Sequence, residues 1–479
     1  MSNEPIQNSL ENSENLNSEI VIIKVGEEPN IKEFKVPSNI LSAKSLYFET
    51  ALSPRWAKRE NGSLVFNKPN ISPPVFEALI NYINTEAFSD KNDVSLLDIF
   101  IAADEMEFLE IRRQVERRLL IVGSDWNLPK DFITMCKYND TFPKLYMSAL
   151  KFMRHKADEF LRKGKFLNAL EFYEEIFENN HNDQTSALSW DLSGYKCGLK
   201  NLNELVNVLY KDTLLTSLNL AINNLGLNDG NSLASALCKN TTLTFLDLSS
   251  NRLGSEAGRA LADALCENTA LTSLNLSANK LGPECGKAFA NALCKNTTLT
   301  SLNLYSNKLG SKGGNEFANA LYKNTKLTTL NLGDNNLEAK GGSALAIALC
   351  ENKTLTSLDL SANKLGPEGG RALANVLCNN TTLISLSLWN NKLGLEGAIV
   401  LADAFRKKNN NLRDLNLRCN NLGPGGGKVF VEALRGNFIL KNLNLRNNRL
   451  GLEGKEAIGA LRRYTGMYTA ITSLDLTDN

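Results

Sequence analysis

Two histidines, His155 and His181, are all the imidazole this chain of 479 residues offers. Neither has a partner near it in sequence, so a histidine triad or metal cluster finds no support. Both read as solvated helix residues. The segment Gly423-Pro-Gly-Gly-Gly-Lys428 has the glycine density of a phosphate loop, but no Ser or Thr follows Lys428. It reads as a structural turn. Nine cysteines invite a disulfide framework. Cys238, Cys266, Cys294, Cys350 and Cys378 share one repeat position, however, on helices spaced more widely than a disulfide reaches. They are expected to be buried, reduced thiols. No catalytic residue, metal or cofactor is expected. Recognition chemistry is better represented: Phe245, Tyr305, Trp389, Arg418 and Arg446 are of the types enriched at binding hot spots.

The elements that must position those residues come from a repeat. The pattern L-x-x-L-x-L-x-x-N-x-L-G begins at Leu215, Leu243, Leu271, Leu299, Leu327, Leu355, Leu383, Leu412, Leu440 and, variantly, Ile471. An asparagine follows eight residues later each time: Asn223, Asn251, Asn279, Asn307, Asn335, Asn363, Asn391, Asn420, Asn448 and Asn479. The period is 28 residues, with one extra before Leu412 and three before Ile471. Such a period marks a solenoid whose units bury apolar surface only against neighbours. L-x-x-L-x-L holds a short strand with leucines inward. The Asn side chain can satisfy backbone groups that would otherwise be buried unpaired. L-G releases the chain into a helix, with Pro283 and Pro367 just inside the start.

Helix segments such as Leu233–Leu237, Leu261–Leu265 and Leu345–Leu349 read L-A-x-A-L. Their i, i+4 leucines face the strands, and the alanines allow close approach. Strands pack about 4.8 Å apart and helices roughly 8–10 Å apart, so the stack must bend with strands inside. Outward strand positions mostly carry Ser, Thr, Asn or Asp, which suits a solvated sheet. The five aromatic and Arg residues named above are exceptions. Arg418 and Arg446 stand in one column of successive units. That is either a solvated charged edge or an unfavourable pair that an acidic partner would relieve.

The repeat resembles the leucine-rich repeat family, in its 28-residue ribonuclease-inhibitor-like subtype, shared by nucleotide-binding immune receptors and Ran GTPase-activating proteins. The resemblance implies an α/β horseshoe, parallel strands inside and helices outside, that binds a protein ligand on its concave face. Residues 187–214 match loosely, with Ala187, Trp190 and Leu192 in strand slots, Gly198 in the L-G slot, then Leu205 and Leu209. They are expected to form a degenerate first repeat of a domain spanning 187–479. The sequence stops at Asn479 directly after a strand, where an exposed apolar end suggests truncation or a covering partner.

Residues 19–120 differ in kind. The strand Ile20–Val25 precedes a block Phe34–Phe48, then Pro69–Ile83 and Ile101–Met106, with Phe76, Leu79, Ile80 and Ile83 at helical spacing. The order of these blocks resembles an α+β BTB/POZ domain. Departures are Glu19, where the family often has Asp, Pro37 in place of His, and Asn84 and Glu86 within the usual Y-x-Y-T-G. The resemblance implies a homodimer. Joined to a recognition module, it resembles the substrate adaptors of cullin-based ubiquitin ligases. Cullin-binding members carry a hydrophobic-x-Glu motif, and here Trp56-Ala-Lys-Arg-Glu60 offers Trp56, with Lys58 in place of the glutamate and Glu60 beyond it. Residues 121–186 are expected to be a helical connector. Ala157, Phe160, Gly164, Ala169 and Tyr173 give it a hairpin pattern resembling one tetratricopeptide unit, or a shortened version of the helices that follow many BTB domains.

Residues 1–18 are polar and are expected to be a disordered tail without a signal peptide. The net charge of +1 supplies no global field toward nucleic acid or membrane, and no apolar run approaches the ~18 residues of a membrane span. A cytoplasmic protein, or a nuclear one, is expected. Sequons such as Asn240-Thr-Thr and Asn296-Thr-Thr are then by-products of the repeat. The leading expectation is a non-enzymatic ligase adaptor. The alternatives are a scaffold or immune-type sensor without ligase activity and, remotely, a GTPase activator.

Overall fold

The computed structural model describes residues 18–86, 94–179, 188–194, 202–211, 214–406, 411–463 and 469–479. The expected tail up to residue 17, His181, Ala187, Cys197 and Gly198 lie outside them. The chain divides into two compact units, Met1–Lys163 with Asn168–Gln184, and Gly164–Leu167 with Thr185–Asn479.

In the first unit, β1 (Ile20–Val25), β2 (Lys32–Pro37), β3 (Arg59–Glu60) and β4 (Ser63–Lys68) form a sheet of order β2-β1-β4-β3. β1 runs antiparallel to β2 and parallel to β4. Alternation puts Val21, Ile23 and Val25 of β1 on its buried face. Helices α1 (Ser38–Lys44), α2 (Leu46–Ala51), α3 (Pro73–Thr85), α4 (Leu96–Glu105) and α5 (Leu109–Ile121) cover that face. The periodic Phe76, Leu79 and Ile83 of α3 are buried, and Ile80 packs partly against the same core. Ser45 ends α1 and caps α2, accepting from the Phe48 N–H at 3.0 Å while its hydroxyl donates to the Met106 carbonyl at 2.6 Å.

The apolar core does not stop at Leu120. Further helices α6 (Lys130–Cys136), α7 (Pro143–Arg162) and α8 (Phe166–Asn179) follow. Phe132, Met135, Leu145, Ala149, Leu150, Met153 and Ile176 join the core of the sheet and α1–α5. Two donors fasten the seam: Trp126 Nε1 reaches the Leu119 carbonyl at 2.7 Å and the Ser148 hydroxyl reaches it at 3.0 Å. Asp131 is buried beneath it, held by the Ser95 hydroxyl and the Asn127 N–H. Burial, the largest influence, raises its pKa. α7 and α8 make the hairpin that the sequence pattern suggested, with Ala157 and Ala169 fully buried and Tyr173 donating to Asp158 at 2.6 Å. His155 stands exposed on α7.

The second unit is a leucine-rich repeat horseshoe. Eleven parallel strands among the described residues, from Leu188–Asp191 to Ser473–Asp475, stack in sequence order. The register shifts once, between Leu188 and Ser189 of the first strand, and is constant in the strands that follow, so Leu274, Leu302, Leu330 and Leu358 stand in one row. It also holds across the unit with the extra residue, where Leu386 pairs with Leu415. Trp190 of the loose first unit is buried opposite Leu218. On the outer layer Leu233, Leu237, Leu261 and Leu265 face inward as their spacing requires. Glycine also permits close helix approach. A Cβ added to Gly286 would lie 2.8 Å from Gly313 Cα, and one on Gly314 would lie 2.9 Å from Gly341 Cα. Gly423, at the head of the glycine-rich segment, has φ 69° and opens the helix Gly423–Leu434, in which Lys428 pairs with Glu453 at 2.7 Å. That is the structural turn expected of it.

One expectation needs correcting. The cysteine column is free but not buried. Cys238 and Cys294 are exposed, and Cys266, Cys350 and Cys378 are half-buried. Each follows the inward leucine by one residue, and a helix turns about 100° per residue, so the thiol leaves the packed face. The buried repeat thiol is Cys285, pushed up to about 11 mainly by desolvation. The sequon residues Asn240 and Asn296 are 2% and 6% exposed for a structural reason given below.

Candidate functional site

The concave face is built on three ladders. In the first, each ladder asparagine ties its unit to the one before. Asn307 is fully buried, and its Nδ2 donates to the Leu276 and Leu304 carbonyls at 2.9 and 3.1 Å. Its Oδ1 accepts from the N–H groups of Asn279 and Leu281 at 3.0 and 3.3 Å. Asn223, Asn251, Asn279, Asn335, Asn363, Asn391, Asn420 and Asn448 are likewise buried and donate to backbone carbonyls. Asn479 does the same at the last strand, half-buried.

Two further ladders were not anticipated. At the helix ends, Asn240, Asn268, Asn296, Asn324, Asn352 and Asn380 each donate to a leucine carbonyl of the preceding unit, as Asn296 does to Leu265 at 2.8 Å. This buries the sequon asparagines. Along the strands, Asn275, Asn303, Asn331 and Asp359 accept from the N–H two residues on, fixing the turn beneath the next outward side chain. Both sets repeat with the period of the leucines, and that recurrence was the signal available to find them.

The outward column above these turns holds most of the candidate residues. Phe245 stands apart, on the strand Phe245–Asp247, and is 36% exposed. The Tyr305 ring lies against Gly333, where an added Cβ would sit 2.7 Å from Tyr305 Cδ2. Burial first, then Asp334 and Asp359, raises the Tyr305 phenol pKa. Trp389 carries the Arg418 guanidinium over its ring, 5.9 Å from the centroid. Trp389 Nε1 and Arg418 Nε are buried with no acceptor among the described residues. Each such donor costs about 1–3 kcal/mol while it lacks a partner.

Arg446, next in the column, donates from Nε to Asp478 at 2.8 Å. The like-charge contact expected between Arg418 and Arg446 is therefore relieved within the chain. Asp478 neutralises Arg446, and Arg418 folds onto an aromatic face. Arg418 makes no ion pair among the described residues, and its charge reaches the Asp475 carboxylate only at longer range.

In the first unit the Trp56 segment lies between α2 and β3. Trp56 is 63% exposed, with Arg55 5.6 Å from its ring centroid. Lys58 is exposed, and Glu60 pairs with Lys24 at 3.5 Å. Glu19, the departure at the head of β1, forms a two-pronged pair with Arg59, which holds its carboxyl below the usual range. Among the described residues no helix is long and apolar enough to cross a membrane.

Comparison with known families agrees with this architecture. The BTB/POZ domain model matches residues 13–120. The Leucine Rich repeat model matches seven stretches: 239–262, 267–290, 295–318, 323–346, 351–374, 379–402 and 408–431. No curated protein matches the chain. Among solved structures it is similar to the leucine-rich repeat-containing protein LegL7 from Legionella pneumophila, at 27% identity over 60% of this chain and 89% of that one, with a TM-score of 0.43. It is also similar to the BTB domain of zebrafish PATZ1, at 22% identity over 20% of this chain and 71% of that one, with a TM-score of 0.17. The protein thus carries a BTB/POZ domain followed by a leucine-rich repeat domain, the two interaction modules its sequence resembles.

Proposed function

We propose that this chain is a non-enzymatic adaptor, holding a protein ligand on the concave face of its repeats and coupling it to a cullin-based ubiquitin ligase. The Trp389–Arg418 pair carries the ligand half of this reading. A large ring under a guanidinium that makes no ion pair among the described residues, amid small polar neighbours, is the composition of a binding hot spot. Truncating Trp389→Ala is expected to weaken ligand binding by about 2 kcal/mol or more without lowering the melting temperature. Ligand captured equally well by the Trp389→Ala, Tyr305→Ala double variant places the site elsewhere.

The ligase half rests on Trp56, a bulky apolar side chain standing free on a turn. Lys58 puts a positive charge where cullin-binding relatives carry a carboxylate, so weak affinity is expected, strengthened by Lys58→Glu. A pull-down against a cullin N-terminal domain checks this. If neither the parent nor Lys58→Glu binds, the adaptor reading fails, and a scaffold or sensor that pairs through its BTB domain takes its place. Lys58 is the observation favouring that second reading.

A further inference from the structure

In six units the loop leaving the strand places a cation one residue after the ladder asparagine: Arg252, Lys280, Lys308, Lys364, Lys392 and Arg449. All six are exposed. Among the described residues the ion pairs in the repeats join other residues and leave these six out.

Their backbone argues that the charge has a use. Lys280, Lys308, Lys364, Lys392 and Arg449 hold φ between 56° and 60°, a left-handed conformation that penalises a Cβ and that Asn tolerates better. Asn occupies the equivalent position at Asn224, Asn336 and Asn421, with the same φ. Two residues earlier the chain is under the same constraint, yet Ile222, Ser250, Ala278, Asp334 and Cys419 show no charge preference. Local stability alone would favour Asn throughout. The left-handed backbone is common to both positions, so it is the recurrence of a cation at the second of them that points to function.

The row is also narrow. Glu256, Glu284, Glu368, Glu396 and Glu453 sit in the first turns of the adjoining helices, where they suit the helix dipole. Glu396 and Glu453 face Arg371 and Lys428 rather than the row. A duplex or a membrane surface would meet those carboxylates together with the lysines, whereas a single extended chain need not. With strands about 4.8 Å apart and an extended chain rising about 3.3 Å per residue, Lys280 to Lys392 spans about six residues. Arg252 to Arg449 spans about ten.

We propose that this edge is a rail for an acidic polypeptide segment, about six to ten extended residues rich in Asp or Glu. The idea rests on the repeats being the docking module and supplies the chemistry of the ligand. Arg418, which makes no ion pair among the described residues, lies in the column beside this edge and has the same sign.

The test uses the full chain and fluorescein-labelled decaglutamate, read by anisotropy at low salt, beside a neutral Ser/Gly peptide and a single-stranded RNA of equal length. Decaglutamate is expected to bind, and the neutral peptide is not. Salt should weaken binding. The combined variant Lys280→Asn, Lys308→Asn, Lys364→Asn, Lys392→Asn should bind about tenfold or more weakly, with a melting temperature equal to or above the parent's. Three results overturn the proposal: no decaglutamate binding by the parent, binding that survives the four substitutions, or RNA bound more tightly than decaglutamate. A variant melting well below the parent would also overturn it, because the lysines would then be structural. The Trp389→Ala measurement stands apart from these outcomes, so failure of the rail and failure of the concave site are distinguishable.

Discussion

A single asparagine per unit does most to make this stack cohere at the scale of the residue. Asn307 has no exposed surface and meets carbonyls and N–H groups of two units. Replacing it with Ala strands those groups where water cannot reach, and the cost is the desolvation penalty rather than the modest net value of a hydrogen bond. Asn307→Ala is expected to destabilise the repeats by about 1–3 kcal/mol. An unchanged denaturant midpoint would show that water or backbone movement satisfies the groups instead. Trp389 and Arg418 are the converse case, because their buried Nε1 and Nε donors have no acceptor among the described residues.

At the scale of elements, the first unit shows how far a domain reaches. α5 carries Val115 and Leu119 into the core, and the Leu119 carbonyl accepts from Trp126 and Ser148, both beyond the helix. α6, α7 and α8 then add a further layer of buried apolar side chains. A fragment of residues 18–179 is expected to unfold cooperatively, whereas one ending at Leu120 should expose that apolar face and self-associate nonspecifically or melt without a sharp transition. Circular dichroism melts of the two fragments check this. Equal cooperativity would mean that the later helices merely lean on a finished core.

At the scale of the whole molecule, the two units use opposite strategies. The first closes a core among elements far apart in sequence. The second stacks units that touch only their neighbours, so its stability is close to a sum of local interfaces. A periodic stack also displays any position as a column. The same geometry that aligns leucines inside aligns Trp389, Arg418 and Arg446 on the concave face and the cations along the edge. Columns of this kind make a surface distinctive without a pocket. A few departures from the repeat, placed in register, suffice.

Much of this was legible in the sequence. The recurrence of Leu271, Leu299 and Leu327 sets strand, register and layer by itself, because a unit that cannot bury its face alone has one way to stack. The order of blocks from Ile20 to Met106 marked the first domain by resemblance. Tertiary structure alone decided what depends on contacts between distant residues or on backbone angle. It tied Arg446 to Asp478 and seated Arg418 on Trp389, which removes the clash that column order implied. It turned the cysteine column toward solvent, since one residue of helical rotation separates it from the inward leucines. It gave the lysine row its left-handed backbone, visible only once the loop is folded. Periodicity fixes which residues share a column; the direction each side chain takes from it is settled by packing.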